Sequence, residues 1–367
     1  MSVKLDYCFV PGAADALPER VLQLQNPLLA MLDAIHMHGT LGKAATELEV
    51  SYRHLWGELK RYEASFGQAL VVGGQGRAAQ LSEFGERLLW AEKRILARML
   101  PQAESLAAQL DRELLLAVDP SLQVLPVCAS HDLLFSGLRD ALWRTAGVLL
   151  DVDYVGCTQA LERLNAGACV LAGVHLPFED EELSRRGSRI QLALGPELRL
   201  GVHKLIRLMG REQGLMVRQD NPLDIASLAD LTRPDVIFVN RPRGSGTRLI
   251  LDELLAREGI APQRITGYVT EEATHLSVAA SVAAGLANCG FGLRAAADSF
   301  RLGFVPLVRE QYCLVCLKDA LDSEPVRVVL DFLRSPSFRL LVETLPGHDT
   351  EGAGEIVSLR RTLPWYK

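Results

Sequence analysis

The chain has 367 residues, 49% of them hydrophobic, and a formal net charge of −6 at pH 7. That length accommodates two or three domains, each with a core of its own, while no apolar run approaches the roughly 20 residues a membrane-spanning helix needs. With 45 acidic against 39 basic side chains there is no broad basic surface, so any nucleic-acid contact has to rest on a few placed side chains and on geometry.

Residues 1–25 lack the basic start and apolar core of a secretory signal and read as an N-terminal extension. Seven cysteines, an odd number without framework spacing, fit the reducing cytoplasm. Residues 40–67, TLGKAATELEVSYRHLWGELKRYEASFG, carry two helical patterns that meet around Glu49 and Val50. The first places Leu41, Ala44, Ala45 and Leu48 at helical spacing. The second opens on Ser51, a good N-cap, and turns Leu55, Leu59 and Tyr62 inward. The small Ala44 and Ala45 let two helices cross closely, which predicts a helix-turn-helix; the bland alternative is a helical hairpin inside a core. Ser51, Tyr52, Arg53 and His54 cluster at the start of the second helix, where a recognition helix meets bases and phosphates. Thr40, Lys43, Lys60 and Arg61 complete the DNA-contact candidates on the two helices.

Residues 69–81, ALVVGGQGRAAQL, hold two short apolar runs around a glycine-rich bend, the pattern of a hairpin wing with Arg77 at its tip. A winged helix-turn-helix is therefore expected over residues 26–81. Ser82 then caps a linking helix over 82–111 through Phe84, Leu88, Leu89, Ile95, Leu96 and Met99, with Pro101 expected to kink it or to open a successor ending near Leu110. Its stripe Leu88, Leu89, Ile95, Leu96 and Met99 predicts pairing with a second copy, as a homodimer or, by pairing of dimers, a homotetramer.

From about Glu113 the texture changes. ELLLAVD reads as a strand, LLFSGLRDALWRTAG as a helix, VLLDVDYV as a strand, TQALERLNAG as a helix and ACVLAGVHL as a third strand. This alternation predicts an α/β domain with a mainly parallel sheet. LRLGVHKLIRLMGREQGLMV is long and apolar, as expected where a chain crosses between lobes. A second alternation follows: VIFVN, the helix TRLILDELLAREG, ITGYVTEE as a strand, the helix THLSVAASVAAG, GFGL and the return strand FVPLVREQYCLVCL. Two helices close the domain. A two-lobed effector domain is thus expected over 112–345, its second lobe about 198–287, with residues 346–367 as a tail.

The sharpest chemical feature is NRPRGSGTR, residues 240–248, between a strand and a helix. Gly244 and Gly246 flank Ser245, and Thr247 sits near the helix start. Such a nest offers backbone donors, hydroxyls and a helix dipole to an anion, with Arg243 or Arg248 supplying charge. It lacks the spacing of a nucleotide P-loop. Ser130 and His131, His175, and Thr274 with His275 stand at other strand ends, where open α/β sheets bind ligands; a lone histidine is more often a packing residue. Cys313 and Cys316 form a C-x-x-C within an apolar run without a second ligand pair, so no metal or cofactor is expected.

These residues carry two resemblances. The stretch NPLLAMLDAIHMHGTLGKAATELEVSYRHLWGELKRYEASFG resembles the winged helix-turn-helix of LysR-type and ModE-type bacterial regulators, over roughly residues 26–110, with SYRHLWGELK closest to the ModE side. FVNRPRGSGTRLILDELL and GYVTEEATHLSVAASVAAGLANCGFGLRAAA resemble the cytoplasmic relatives of type II periplasmic binding proteins, above all the molybdate- and tungstate-binding group, over roughly 112–345. The resemblance implies a DNA-binding transcriptional regulator that senses a tetrahedral oxyanion or formate, connected with molybdenum enzymes such as formate dehydrogenase. It implies that Ser130, Ser245 and Thr247 contact the oxyanion. Catalysis is not expected, since no Ser-His-Asp order, paired carboxylates or metal spacing is present; an oxyanion storage protein, or an enzyme using the His/Ser/Arg cleft, are the rival readings.

Overall fold

The computed structural model describes residues 26–73, 78–177 and 180–367. They form two compact units, one ending at Ala97 and the other running from Arg98 to Lys367.

The first unit is built by its caps. Asn26 accepts from the Leu28 N–H (2.9 Å) to start α1 (Pro27–His38). Thr40 caps α2 (Leu41–Glu47) and Ser51 caps α3 (Tyr52–Phe66). Each side-chain oxygen answers a backbone donor that the first helical turn leaves unpaired. Between α2 and α3, Glu49 takes the left-handed conformation (φ 54°), which makes the connection tight. Leu32, Ile35, Leu41, Ala44, Ala45, Leu55 and Leu59 close the core. Strands β1 (Val71–Val72) and β2 (Gln80–Leu81) pair antiparallel as the expected wing; its tip, with Arg77, lies outside the described residues.

Helix α4 (Glu83–Val118) departs from the expected course in three ways. It continues through Pro101 as one helix, so that no successor helix opens there. It also absorbs ELLLAVD, because the strong helix formers of QAESLAAQLDRELL carry the helix on through that apolar run. Leu89 does not belong to a free stripe: it is fully buried in the head core, with Leu88 packed against it.

In the second unit follow β3 (Gln123–Ala129), α5 (Leu134–Ala146), β4 (Val148–Tyr154), α6 (Cys157–Asn165), β5 (Leu171–Leu176), α7 (Arg189–Leu194), β6 (His203–Val217), β7 (Phe238–Val239), α8 (Gly246–Arg257), α9 (His275–Ala283), β8 (Cys289–Leu293), α10 (Arg294–Ser299), β9 (Gly303–Leu317), α11 (Glu324–Leu333) and α12 (Pro336–Glu343). The strands join one sheet in the order β4-β3-β5-β9-β6-β8-β7. β3 is parallel to β4 and β5, and β7 to β8. The long β6 and β9 pair antiparallel from His203↔Leu317 to Val217↔Gly303, with register shifts at Arg207/Met209 and Gln213/Gly214. These two strands join the two halves of the sheet, β9 pairing with β5 at one end and β6 with β8 at the other.

Side chains alternate across the sheet, so Cys313 and Val315 of β9 enter one core while Tyr312, Leu314 and Cys316 enter the other. Cys313 and Cys316 therefore sit on opposite faces. Two further expectations are corrected. ITGYVTEE runs beside β7 through turns, with Gly267 at φ 87° and one isolated bridge from Asn240 to Glu271. Residues 346–367 are no tail: β10 (His348–Asp349) and β11 (Ile356–Ser358) pair with β6, and α13 (Leu359–Thr362) brings Leu359, Leu363 and Trp365 into the core.

Candidate functional site

In the head, the start of α3 is the exposed end. Ser51 holds the His54 N–H (3.1 Å), and Tyr52, Arg53 and His54 face solvent while Leu55 and Leu59 are buried. Thr40 caps α2 and Lys43 stands exposed on its first turn. Lys60 and Arg61 are committed locally, Lys60 to Glu63 and Arg61 to Glu58, each three residues away. Lys60 also lies over the Trp56 ring at 4.5 Å. Glu63 further accepts from the N–H groups of Leu70 (2.8 Å) and Val71 (3.3 Å), which fastens the wing to α3. Lys60 and Arg61 would both have to release a carboxylate before meeting a phosphate.

In the second unit a cavity of about 510 Å3 opens at the C-terminal ends of β3 and β4. Its lining gathers Ser130 and His131 after β3, Tyr154 to Gly156 after β4, Arg241, Pro242, Arg243 and Ser245 before α8, Ala273 and Thr274 before α9, and Arg98, Pro101, Gln102, Ser105 and Leu106 of α4. Gly156, Ser245 and Thr274 are the N-caps of α6, α8 and α9. Three positive helix ends therefore face one space. Gly156 is required there, since a Cβ would stand 2.8 Å from the Gly244 carbonyl oxygen.

Five of the expected effector residues line this cavity: Ser130, His131, Arg243, Ser245 and Thr274. Their hydroxyls differ in availability. Ser245 Oγ donates to the Pro242 carbonyl (2.9 Å) and accepts from the Arg248 N–H (3.3 Å). Thr274 forms a capping box with Ser277. Ser130 Oγ is buried without a partner.

The remaining candidates lie behind the lining. Thr247 Oγ1 is buried 3.4 Å from His275 Nε2, and burial together with Arg241 and Arg211 holds the His275 imidazole well below its ordinary range. Arg248 acts as a brace: it donates to Asp252 (2.9 Å) and to the Arg241 carbonyl (3.0 Å), and stacks on Tyr268. Gly246 takes its place because His175 packs where a Cβ would go.

His175 belongs to a fully buried ionic cluster on the crossing strands. Arg211 of β6 pairs with Asp132 and with Glu310 of β9, and His175 meets both Arg211 and Glu310 while stacked on Tyr312 at 4.4 Å. Burial pulls the His175 imidazole down, but the Cys157 sulfur and the Glu310 carboxylate raise it to about 9. Burial raises the Glu310 carboxyl, yet Arg211 and His175 hold it at about 2.

The residue the sequence reading passed over is Arg241. It is 3% exposed; Nη1 donates to the Glu272 carbonyl (3.0 Å) and Nε is buried without a partner. Burial and Arg211 push its guanidinium down to about 10. Its signal was present, an arginine directly after the apolar strand VIFVN. The signal for Arg211 was likewise the polar GREQ interrupting LIRLMGREQGLMV. Among the described residues no group of three or more His, Cys, Asp or Glu side chains is placed to hold a metal ion, and no helix is long and apolar enough to cross a membrane.

Compared with known proteins, residues 140–334 match the PBP superfamily domain, and residues 27–86 match the bacterial regulatory helix-turn-helix protein, lysR family. The chain is 30% identical to the YvgK protein of Bacillus subtilis (strain 168) over 228 residues, which cover 62% of this chain and 70% of that one. It is 34% identical over 111 residues to a protein encoded in the 5′ region of a 2Fe-2S ferredoxin gene of Clostridium pasteurianum, covering 30% of this chain and 98% of that one. Among solved structures, a Corynebacterium glutamicum OxyR mutant with bound H2O2 aligns at a TM-score of 0.42 and 18% identity, over 86% of this chain and 94% of that one.

Proposed function

Because the chain belongs to the PBP superfamily and carries at its N-terminal end the helix-turn-helix of the lysR family of bacterial regulatory proteins, we propose that it is a cytoplasmic transcriptional regulator whose second unit senses a small anion. One observation carries the anion reading: Arg241 and Ser130, whose Nε and Oγ are buried without a partner, line a cavity that three helix N-termini face. Buried polar groups left unpaired cost about 1–3 kcal/mol each, and an anionic ligand removes that cost. The Arg241 guanidinium supplies the charge, the helix ends supply backbone donors, and Arg243 stands at the rim.

Molybdate, tungstate and formate are the first ligands to test, by the resemblance of the loop NRPRGSGTR. The cavity of about 510 Å3 lies in the size range of organic-ligand pockets, and Pro101, Leu106, Tyr154, Val155 and Pro242 give it apolar walls. An oxyanion head on a small organic body therefore fits the same reading. A thermal-shift screen of the full chain with molybdate, tungstate, sulfate, phosphate, formate and benzoate tests it; no stabilisation by any of the six rejects the anion reading. A DNA footprint with a symmetric site tests the regulator.

Two copies would pair along α4, where Leu106, Leu110, Leu114 and Val118 recur every four residues and are 62%, 49%, 51% and 86% exposed. Leu110→Glu with Leu114→Glu should convert the dimer to a monomer in analytical ultracentrifugation. A well-folded dimer at low concentration would move the interface elsewhere.

A further inference from the structure

One wall of the anion cavity comes from α4 itself, the helix that also begins in the head. Arg98 donates from Nε and Nη2 to the two carboxylate oxygens of Glu272, at 2.7 and 2.5 Å. Glu272 is 4% exposed; Ser281 Oγ donates to it at 2.9 Å, and its backbone carbonyl accepts from Arg241. A buried carboxylate thus stands beside the arginine that faces the cavity, and a cation from α4 neutralises it. A second tie from the same helix runs from Glu104 to His131 Nε2, at 3.5 Å.

An anion beside Arg241 feels attraction from that guanidinium and repulsion from Glu272. With Arg98 seated, Glu272 presents a neutral pair and the attraction dominates. With Arg98 withdrawn, the Glu272 carboxylate is released to pair with Arg241, whose Nε lacks a partner, and competes with the ligand for it. We propose that Arg98 is a positioning residue for the anion: by neutralising Glu272 it raises ligand affinity, and by linkage the bound anion holds the C-terminal half of α4 against the sensor. The inference rests on the anion reading of the cavity, and it gives a physical route from ligand to helix that needs no contact between Arg98 and the ligand.

The test is a double-mutant cycle in the full chain, titrated calorimetrically with molybdate, formate and benzoate. Arg98→Gln should weaken binding of the responding anion about tenfold, and Arg98→Lys should recover most of the loss because it restores the charge. Glu272→Gln should bind at least as tightly as wild type, and adding Arg98→Gln to it should cost far less than the tenfold loss in the wild-type background. The comparison of Glu272→Gln with the double variant contains no uncompensated buried charge, so it stays decisive even if Arg98→Gln alone folds poorly. Hydrogen exchange supplies a second readout: the anion should slow exchange over residues 98–118 in wild type and not in Glu272→Gln. An Arg98→Gln penalty of equal size in both backgrounds overturns the proposal, because Arg98 would then touch the anion or act only in folding. Failure of wild type to bind any of the three probes instead removes the anion reading itself.

Discussion

In the head, Lys60 and Arg61 lie on the outer face of α3, each paired with a carboxylate one turn away. In the second unit, Arg241 is buried and its Nε meets no partner. The difference separates two ways of holding a cation ready. Exposed pairs of the first kind contribute about 0.2–1 kcal/mol, so a phosphate can displace the carboxylate at little cost. A buried guanidinium with an unanswered donor is costly by itself, and only a ligand that replaces its lost solvation offsets that cost. Net charge is a poor guide to either, which is how a chain at −6 carries both.

The sharpest way to break the comparison is at Arg211, a buried cation whose partners are all supplied by the protein. Arg211→Met leaves Asp132 and Glu310 facing each other in the core, and should destabilise the sensor by about 3–5 kcal/mol, read as a fall in its unfolding midpoint. A variant as stable as wild type would mean that the cluster is neutral. The pH profile follows from the same groups. Glu310, held at about 2, adds stability that is complete above its unfolded value of about 4.3 and is lost as pH falls towards 2. His175, raised to about 9, adds stability that is complete below its unfolded value of about 6.5 and is lost as pH rises through 9. The His175–Glu310 pair should contribute most between about pH 4.5 and 6.5, and His175→Gln should flatten the alkaline limb in particular.

Arg241→Gln tests the other kind of buried cation. If the ligand takes charge-assisted hydrogen bonds from this side chain, affinity for the responding anion should fall by about 1.5–3 kcal/mol, one to two decades, in calorimetric titration. Stability without ligand should hold or rise, because an unanswered charge has been removed. Unchanged affinity would take Arg241 out of the site.

What the sequence made legible follows the same division. Local chemistry could be read directly: Ser51 as a cap, Ala44 and Ala45 as the close crossing, and the glycines of NRPRGSGTR as a loop leading into a helix start. Long-range pairing could not. Residues 348–349 and 356–358 are strands only because β6 lies beside them, and nothing in so short a run announces it. ELLLAVD has the apolar density of a strand, and its helical state is set by the turns of α4 before it. The hydroxyls of Ser245 and Thr274 were legible as polar groups near the proposed anion site. Whether they are available depends on Pro242 and Ser277, which only the folded chain brings to them.

At the exposed end of the scale, Arg53→Ala should weaken specific DNA binding by about 1–3 kcal/mol if the side chain reads a base. If it meets only phosphate, specific and non-specific binding should fall together and the salt dependence should shrink. Lys60→Ala should cost less than Arg53→Ala in the same footprint titration, because Lys60 must first leave Glu63. An equal or larger loss for Lys60 would show that its pair with Glu63 is no obstacle to DNA.

The smallest expected effect on the ligand belongs to Ser245→Ala. Its hydroxyl hydrogen is directed at the Pro242 carbonyl, and its oxygen accepts from the Arg248 N–H at the start of α8. The side chain is therefore a cap, and its removal should cost about 0.5–2 kcal/mol of sensor stability, while the backbone N–H groups of the loop remain to face the cavity. Calorimetry of the responding anion should give nearly the wild-type affinity, in contrast to Arg241→Gln and to Ser130→Ala, whose Oγ is the buried hydroxyl without a partner. A loss of one decade or more at Ser245, with stability unchanged, would mean that the hydroxyl abandons Pro242 for the ligand, and the loop would then act through its side chains as well as through its helix end.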